Sequence, residues 1–306
     1  MPEASTGGTA RIPLKGILIM LAAMIVLPYV DTSAKLLGDT IHVLQIAWGR
    51  YVCQTVVALP VALWLYGRRG LWPKRPGTQA LRAFLLPASN ITYFAALLFL
   101  PLADTLAIFF IFPFFVTAAA PFALGERIGI WRWSAVAVGF LGVLLIVRPG
   151  FGAISTGVFW AIGSAACFAC YALATRRLAG SDPPILTQTI TCILATIALS
   201  VAMPYVWVEP TFEDWLLFLA LGASGGIGHL LVTMAYEHID ASVIAPLSYL
   251  EMVTTVTLGY LVFHELPVAA TWMGIALICG SGIVIAWRET ARSRPRRHPP
   301  PMLPGS

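Results

Sequence analysis

The sequence predicts an all-α membrane protein of ten transmembrane helices, arranged as two inverted five-helix repeats. Three observations predict it. The first is composition: 58% of the 306 residues are hydrophobic and 11% are charged, where a soluble domain carries roughly 25% charged residues. The second is pattern. Apolar runs of helical length follow one another closely, with none of the short alternating strands of a barrel. The third is duplication. Adding 139 to each number carries residues 90–146 onto 229–285 without a gap, so that Ala96 meets Ala235, Glu126 meets Glu265, Trp133 meets Trp272, Ala137 meets Ala276 and Ile146 meets Ile285. Each copy reads apolar span, short turn, apolar span, acidic turn, Trp, Gly-containing apolar span.

Residues 1–13 are a polar cytoplasmic tail. Arg11 and Lys15 precede a long apolar run that ends near Leu37; it exceeds a signal-peptide core and lacks a small-residue cleavage site, so it reads as a retained first span. A span takes about 20 apolar residues, which places the next four near 42–66, 80–100, 104–124 and 131–148. These complete a first repeat over 14–150. A second repeat over 151–287 holds spans near 156–178, 184–206, 214–237, 240–263 and 269–287. Residues 288–306 form a basic, Pro-rich cytoplasmic tail. Cys53, Cys167, Cys170, Cys192 and Cys279 all fall inside apolar spans, so no disulfide framework is implied.

Lys and Arg set the orientation, because they collect on the cytoplasmic side. With both termini inside, the outside holds only Lys35 and Arg148, and Arg50 lies within a span. The basic balance, net charge +5, is therefore topological and is no signal for nucleic acid. An odd number of spans per half sends the second half into the membrane upside down. The two repeats are then related by a pseudo-two-fold axis in the membrane plane, an arrangement that places a carrier's site between the halves. Gly16 and Lys35 correspond to Gly157 and Arg176 at an offset of 141, in keeping with this.

The run Leu124-Gly125-Glu126-Arg127-Ile128 with Trp133, and its second copy Phe263-His264-Glu265-Leu266-Pro267 with Trp272, resemble the EamA repeat of the drug/metabolite transporter superfamily. The resemblance extends from about residue 15 to 287. It implies ten helices, two inverted repeats and transport of small metabolites, often outward. Among the branches, the chain looks most like the bacterial aromatic amino-acid exporters of the inner membrane. The second copy departs from the first where Glu251-Met252 replaces Phe112-Pro113.

Intramembrane polar groups are costly and gather at pathways or at fixed partners. Asn90 and His229 occupy equivalent repeat positions near mid-span, facing either a central substrate cavity or a neighbouring helix. Glu251 is the most deeply placed carboxylate, suited to a substrate amino group, a proton, or a structural hydroxyl or Arg50 partner. Ser248 shares its helix face by i, i+3 spacing, with Tyr249 between them. Arg50 suits a substrate carboxylate, or more readily a structural ion pair. Asp31 and Lys35, at i, i+4, are placed to neutralise each other. Tyr93, Trp160, Tyr171 and Tyr249 offer rings for an apolar substrate to stack on, Trp160 at an outer vestibule. Trp48, Trp64, Trp131, Trp133, Trp207, Trp215, Trp272 and Trp287 sit near span ends, as an interfacial belt does. The glycines of 222–228 provide close packing, or let the helix bend or unwind.

The expected partners are amino acids and membrane lipid, with no cofactor, metal or nucleic acid. Cys167-Phe168-Ala169-Cys170 lacks a second ligand pair, and there is no HExxH, P-loop or dinucleotide fingerprint. An intramembrane enzyme lacks its catalytic constellation, and a scaffold has no use for midplane polar residues in a repeat. What remains is an alternating-access exporter of aromatic and large apolar amino acids, or of another small metabolite or drug-like compound.

Overall fold

The computed structural model describes residues 14–124, 130–148, 154–178, 181–239, 244 and 247–293. Helices dominate, and no strand occurs among the described residues. In the first half they are α1 (Leu14–Val26), α2 (Pro28–Leu37), α3 (Val43–Gly70), α4 (Pro76–Leu97), α5 (Leu102–Phe109), α6 (Phe112–Leu124) and α7 (Ile130–Val147). The second half adds α8 (Thr156–Leu178), α9 (Pro184–Ser200), α10 (Met203–Val206), α11 (Phe212–Tyr236), α12 (Glu251–Phe263) and α13 (Ala269–Ser293). Six segments are long and apolar enough to cross a membrane: Leu14–Leu37, Val43–Gly70, Pro76–Leu97, Leu102–Ala119, Thr156–Leu178 and Phe212–Tyr236. Val136–Val147, Pro184–Ser200, Glu251–Phe263 and Ala269–Val284 are shorter apolar helices. The chain is thus a multi-pass helical membrane protein.

Local chemistry explains where these helices start and stop. Proline at the first helical position costs no hydrogen bond and presets φ, and Pro28, Pro76 and Pro184 open α2, α4 and α9. Pro76 moves the start of α4 four residues ahead of the expected span and carries Arg82 inside the fold, where it is 5% exposed. A capping box opens α11: Asp214 N donates to Thr211 Oγ1 at 3.2 Å and Thr211 N donates to Asp214 Oδ2 at 2.9 Å.

Three expected spans are interrupted. The first breaks at Leu27, where Pro28 has no N–H to give. The fourth breaks at Phe110–Ile111, between α5 and α6, with Pro113 just beyond. In the ninth, Tyr249–Leu250 form a turn before α12 begins at Glu251. The offset of 139 carries Phe110–Ile111 onto Tyr249–Leu250, so the two halves are interrupted at equivalent places. Met252 stands where Pro113 stands, so proline is not the common cause.

Packing partners exchange between the halves. The α1–α11 contact corresponds to α4–α8, α3–α11 to α4–α9, and α2–α12 to α6–α8, while α3–α9 and α7–α13 each correspond to themselves. At the α4–α8 seam, Ser89 Oγ donates to Ser164 O at 3.0 Å and Ser164 Oγ donates to Ser89 O at 2.8 Å. At the α7–α13 seam, Gly142 and Gly274 bring the backbones so close that a Cβ on either would stand 2.6–2.8 Å from the other's carbonyl oxygen.

Polar cross-links tie both ends of the bundle. At the end where α2 meets α3, Gln45 is fully buried and pairs twice with the Val208 backbone at 2.8 Å, and Thr40 Oγ1 donates to Asp214 at 3.2 Å. Lys35 Nζ contacts both oxygens of Glu265 at 2.6 and 2.8 Å. At the opposite end, Arg82 donates to Thr175 Oγ1 (2.8 Å), Thr187 O (3.0 Å), Thr191 Oγ1 (2.7 Å) and Tyr171 Oη (2.6 Å).

Several expectations are corrected here. Asp31 and Lys35 do not pair: Lys35 goes to Glu265, and Asp31 turns inward. Ser248 and Glu251 do not share a continuous helix, because the turn at Tyr249–Leu250 separates them; Ser248 Oγ donates to Ile244 O at 3.1 Å. Helix α11 runs unbroken through 222–228. Gly222 and Gly225 pack on Cys53 and Gln54 of α3 and Gly228 on Leu27, whereas Gly226 meets nothing within 4 Å. Glu126, Arg127 and Pro246 lie outside the described residues.

Candidate functional site

Between the two tied ends, α2, α3, α4, α11 and α12 bring polar side chains together in the middle of the bundle. Asp31 is buried on α2, and Tyr93 Oη on α4 donates to its Oδ2 at 3.0 Å. Arg50 of α3 is 7% exposed and lies near enough to act electrostatically on Asp31. Its Nη2 stands 3.4 Å from His229 Nε2 on α11. A guanidinium only donates, so His229 Nε2 accepts and the ring proton sits on Nδ1. The next residue, Tyr51, takes the amide nitrogen of Asn90 on its Oη. The equivalent repeat positions Asn90 and His229 are therefore held by consecutive residues of one helix.

Glu251 is half-buried at the first turn of α12. It acts electrostatically on Asp31 and Tyr93. Its carboxylate has no hydrogen-bond or ion-pair partner among the described residues. The fixed pairing of Arg50 with a carboxylate is not found either. Asp31 is near but committed to Tyr93, and Arg50 Nε has no partner.

An aromatic ladder leads away from this cluster. Tyr93 meets Phe109 edge-on at 5.4 Å, Phe109 meets Phe112 at 5.4 Å and Phe168 at 5.2 Å, and Phe168 meets Tyr171 at 5.4 Å. It ends under the Arg82 guanidinium, 4.7 Å from the Tyr171 ring centre. Phe109, Phe112, Phe168 and Tyr171 are all half-buried. Rings that face one another from α4, α5, α6 and α8 without closing off each other's surface can accept a flat ligand.

Asn90, Tyr93, His229 and Glu251 thus lie in or beside one cluster. Tyr249 instead packs on Phe110 at 5.4 Å and lines an apolar pocket of about 480 Å³ with Met252, Trp272 and Ile275. Trp160 is 41% exposed on α8, eight residues or roughly 12 Å along the helix from Phe168. Asp31, Gln54, Phe109, Phe112 and Phe168 were not among the expected site residues. A polar residue one helical turn from Arg50 is the signal that marks Gln54. Among the described residues no group of His, Cys, Asp and Glu is arranged to hold a metal.

Known proteins resemble this chain along most of its length. The model of the EamA-like transporter family matches residues 14–148 and again 155–287. An S-adenosylmethionine uptake transporter of Rickettsia prowazekii is 28% identical over 90% of this chain and 94% of its own. A riboflavin transporter of Vibrio cholerae is 28% identical over 94% and 97%. A pseudopaline exporter of Pseudomonas aeruginosa is 29% identical over 89% and 95%. A solved crystal structure, 21% identical, covers 92% of this chain and 99% of its own with a TM-score of 0.63; at that identity it speaks for the fold alone.

Proposed function

The chain belongs to the EamA-like transporter family, and from that premise we propose that it carries a small amphoteric metabolite. The substrate joins a flat ring to an amino-acid head, and its net charge is zero or positive. One observation carries this reading: of two carboxylates at the inner end of a half-buried aromatic ladder, Glu251 is near Asp31, and Asp31 is near the one guanidinium, Arg50. The charge balance favours a substrate with a surplus positive group. The rings favour stacking, worth about 0.5–1.5 kcal/mol per aromatic pair. S-adenosylmethionine, named for several of the relatives, has both features.

A second reading, export of aromatic amino acids, draws on the same ladder and needs only the amino-acid head. The relatives bear names of uptake and of export alike, so their names assign no direction to this chain. The distribution of Lys and Arg supports ten spans with both termini in the cytoplasm of a bacterial inner membrane, as two repeats of opposite orientation.

The test is flux into liposomes holding the purified protein, with labelled S-adenosylmethionine, phenylalanine, tryptophan and riboflavin. Saturable transport of S-adenosylmethionine or an aromatic amino acid, lowered tenfold or more by Glu251→Gln, is the expected result. Riboflavin as the sole substrate would refute the proposal.

A further inference from the structure

We infer that Arg50 and Gln54 of α3, facing Gly225 of α11, form the subsite for the substrate's carboxylate. The inference rests on the amphoteric-substrate reading above. A buried guanidinium normally has a fixed carboxylate, because an uncompensated charge inside a protein is costly. Arg50 is 7% exposed and has no carboxylate within ion-pair distance among the described residues. Its Nη2 contact is to the neutral acceptor His229, and its Nε–H has no acceptor among the described residues.

Gln54, one helical turn further along α3 and also 7% exposed, repeats the pattern: its Nε2 has no partner among the described residues. The Cys192 thiol donates to Gln54 Oε1 at 3.5 Å, which leaves the amide N–H groups facing away from α9. Both orphaned nitrogens face Gly225. A Cβ there would stand 2.5 Å from Gln54 Nε2 and 3.5 Å from Arg50 Nε, so only a glycine at 225 lets the two donors stand side by side against α11.

Buried donors left without acceptors are rare and call for an explanation. A carboxylate supplies what both lack: two acceptor oxygens for two N–H donors, and the negative charge that Arg50 misses. Hydroxyl or amide ligands would satisfy the donors but not the charge.

The experiment measures binding to the purified protein of two ligand pairs that differ only by the carboxylate: S-adenosylmethionine against its decarboxylated form, and phenylalanine against 2-phenylethylamine. In the parent protein the carboxylate-bearing member of a pair should bind at least tenfold more tightly. Gln54→Leu, which removes an unsatisfied donor from the interior, should leave thermal stability unchanged or higher. Gly225→Ala displaces only the flexible end of Gln54. Each variant should reduce the preference threefold or more while keeping the amine's Kd within twofold. Equal binding of both members by the parent, or a preference that survives intact in both variants, overturns the subsite. If none of the four ligands binds the parent, the amphoteric-substrate reading itself fails and takes the subsite with it.

Discussion

Removing the Glu265 carboxylate should open the end of the bundle at which it holds Lys35. The ammonium contacts both carboxylate oxygens, at 2.6 and 2.8 Å, and also the Leu100 carbonyl at 3.2 Å. Leu102 N donates to Glu265 Oε2 at 3.3 Å. The left-handed His264, φ 57°, turns the chain out of α12 and presents the carboxylate. The pair therefore joins α2 and the α4–α5 turn to the segment after α12. The two side chains are 14% and 29% exposed, between the exposed pairs worth under about 1 kcal/mol and the buried ones whose disruption costs about 3–5 kcal/mol. A loss of about 2 kcal/mol for Glu265→Ala follows, equivalent to roughly a 30-fold rise in the open population. A single cysteine at Leu102, which is fully buried, in a background without native cysteines, reports that population through its rate of reaction with an impermeant thiol reagent. The rate should rise about 30-fold in Glu265→Ala and fall back in the charge-swapped Lys35→Glu/Glu265→Lys protein. A rate within twofold of the parent, or no recovery on swapping, would refute the reasoning.

Three further outcomes are expected from denaturant or thermal unfolding in detergent. Tyr93→Phe strips the buried Asp31 carboxylate of its hydrogen bond and should cost about 1–3 kcal/mol; the penalty should vanish in an Asp31→Asn background if the pair is the cause. Arg82→Lys cannot reproduce the planar fan of bonds to Thr175, Thr187, Thr191 and Tyr171 and should lose about 3 kcal/mol, more than Thr175→Ala alone. Gly142→Val pushes a branched side chain against the Gly274 carbonyl at the α7–α13 crossing and should cost about 1–3 kcal/mol. Unchanged stability there would mean that the seam is looser than its geometry.

Hydropathy and a rise of 1.5 Å per residue are local quantities, so the apolar runs and the duplicated stretch could be read directly, and with them Asn90, His229 and Glu251. Partner choice is not local. The i, i+4 spacing of Asp31 and Lys35 describes a helix surrounded by water; in a bundle, Asp31 finds a phenol 62 residues away and Lys35 a carboxylate 230 residues away. A span beginning at residue 80 leaves Arg82 at its cytoplasmic edge, whereas Pro76-Gly77 marks an earlier helix start that carries it inward. The turn at Tyr249–Leu250 has no proline at the position of Pro113; its place in the repeat announces it, together with Pro246 three residues before it. The ladder of Phe109, Phe112 and Phe168 was hidden among the 16 phenylalanines of the chain.

The two interruptions fall at equivalent positions, yet one resumes at Phe112 and the other at Glu251. Were both residues the same, a molecule lodged between them would meet identical walls and could lie head-first or tail-first with equal free energy. A ring on one wall and a carboxylate on the other lifts that degeneracy: an ammonium against Phe112 forfeits its counter-charge, and an aromatic face against Glu251 forfeits its stacking. The amphoteric cargo proposed above would accordingly keep one polarity with respect to the bilayer, and each of its ends would have its own threshold to pass on the way in and on the way out.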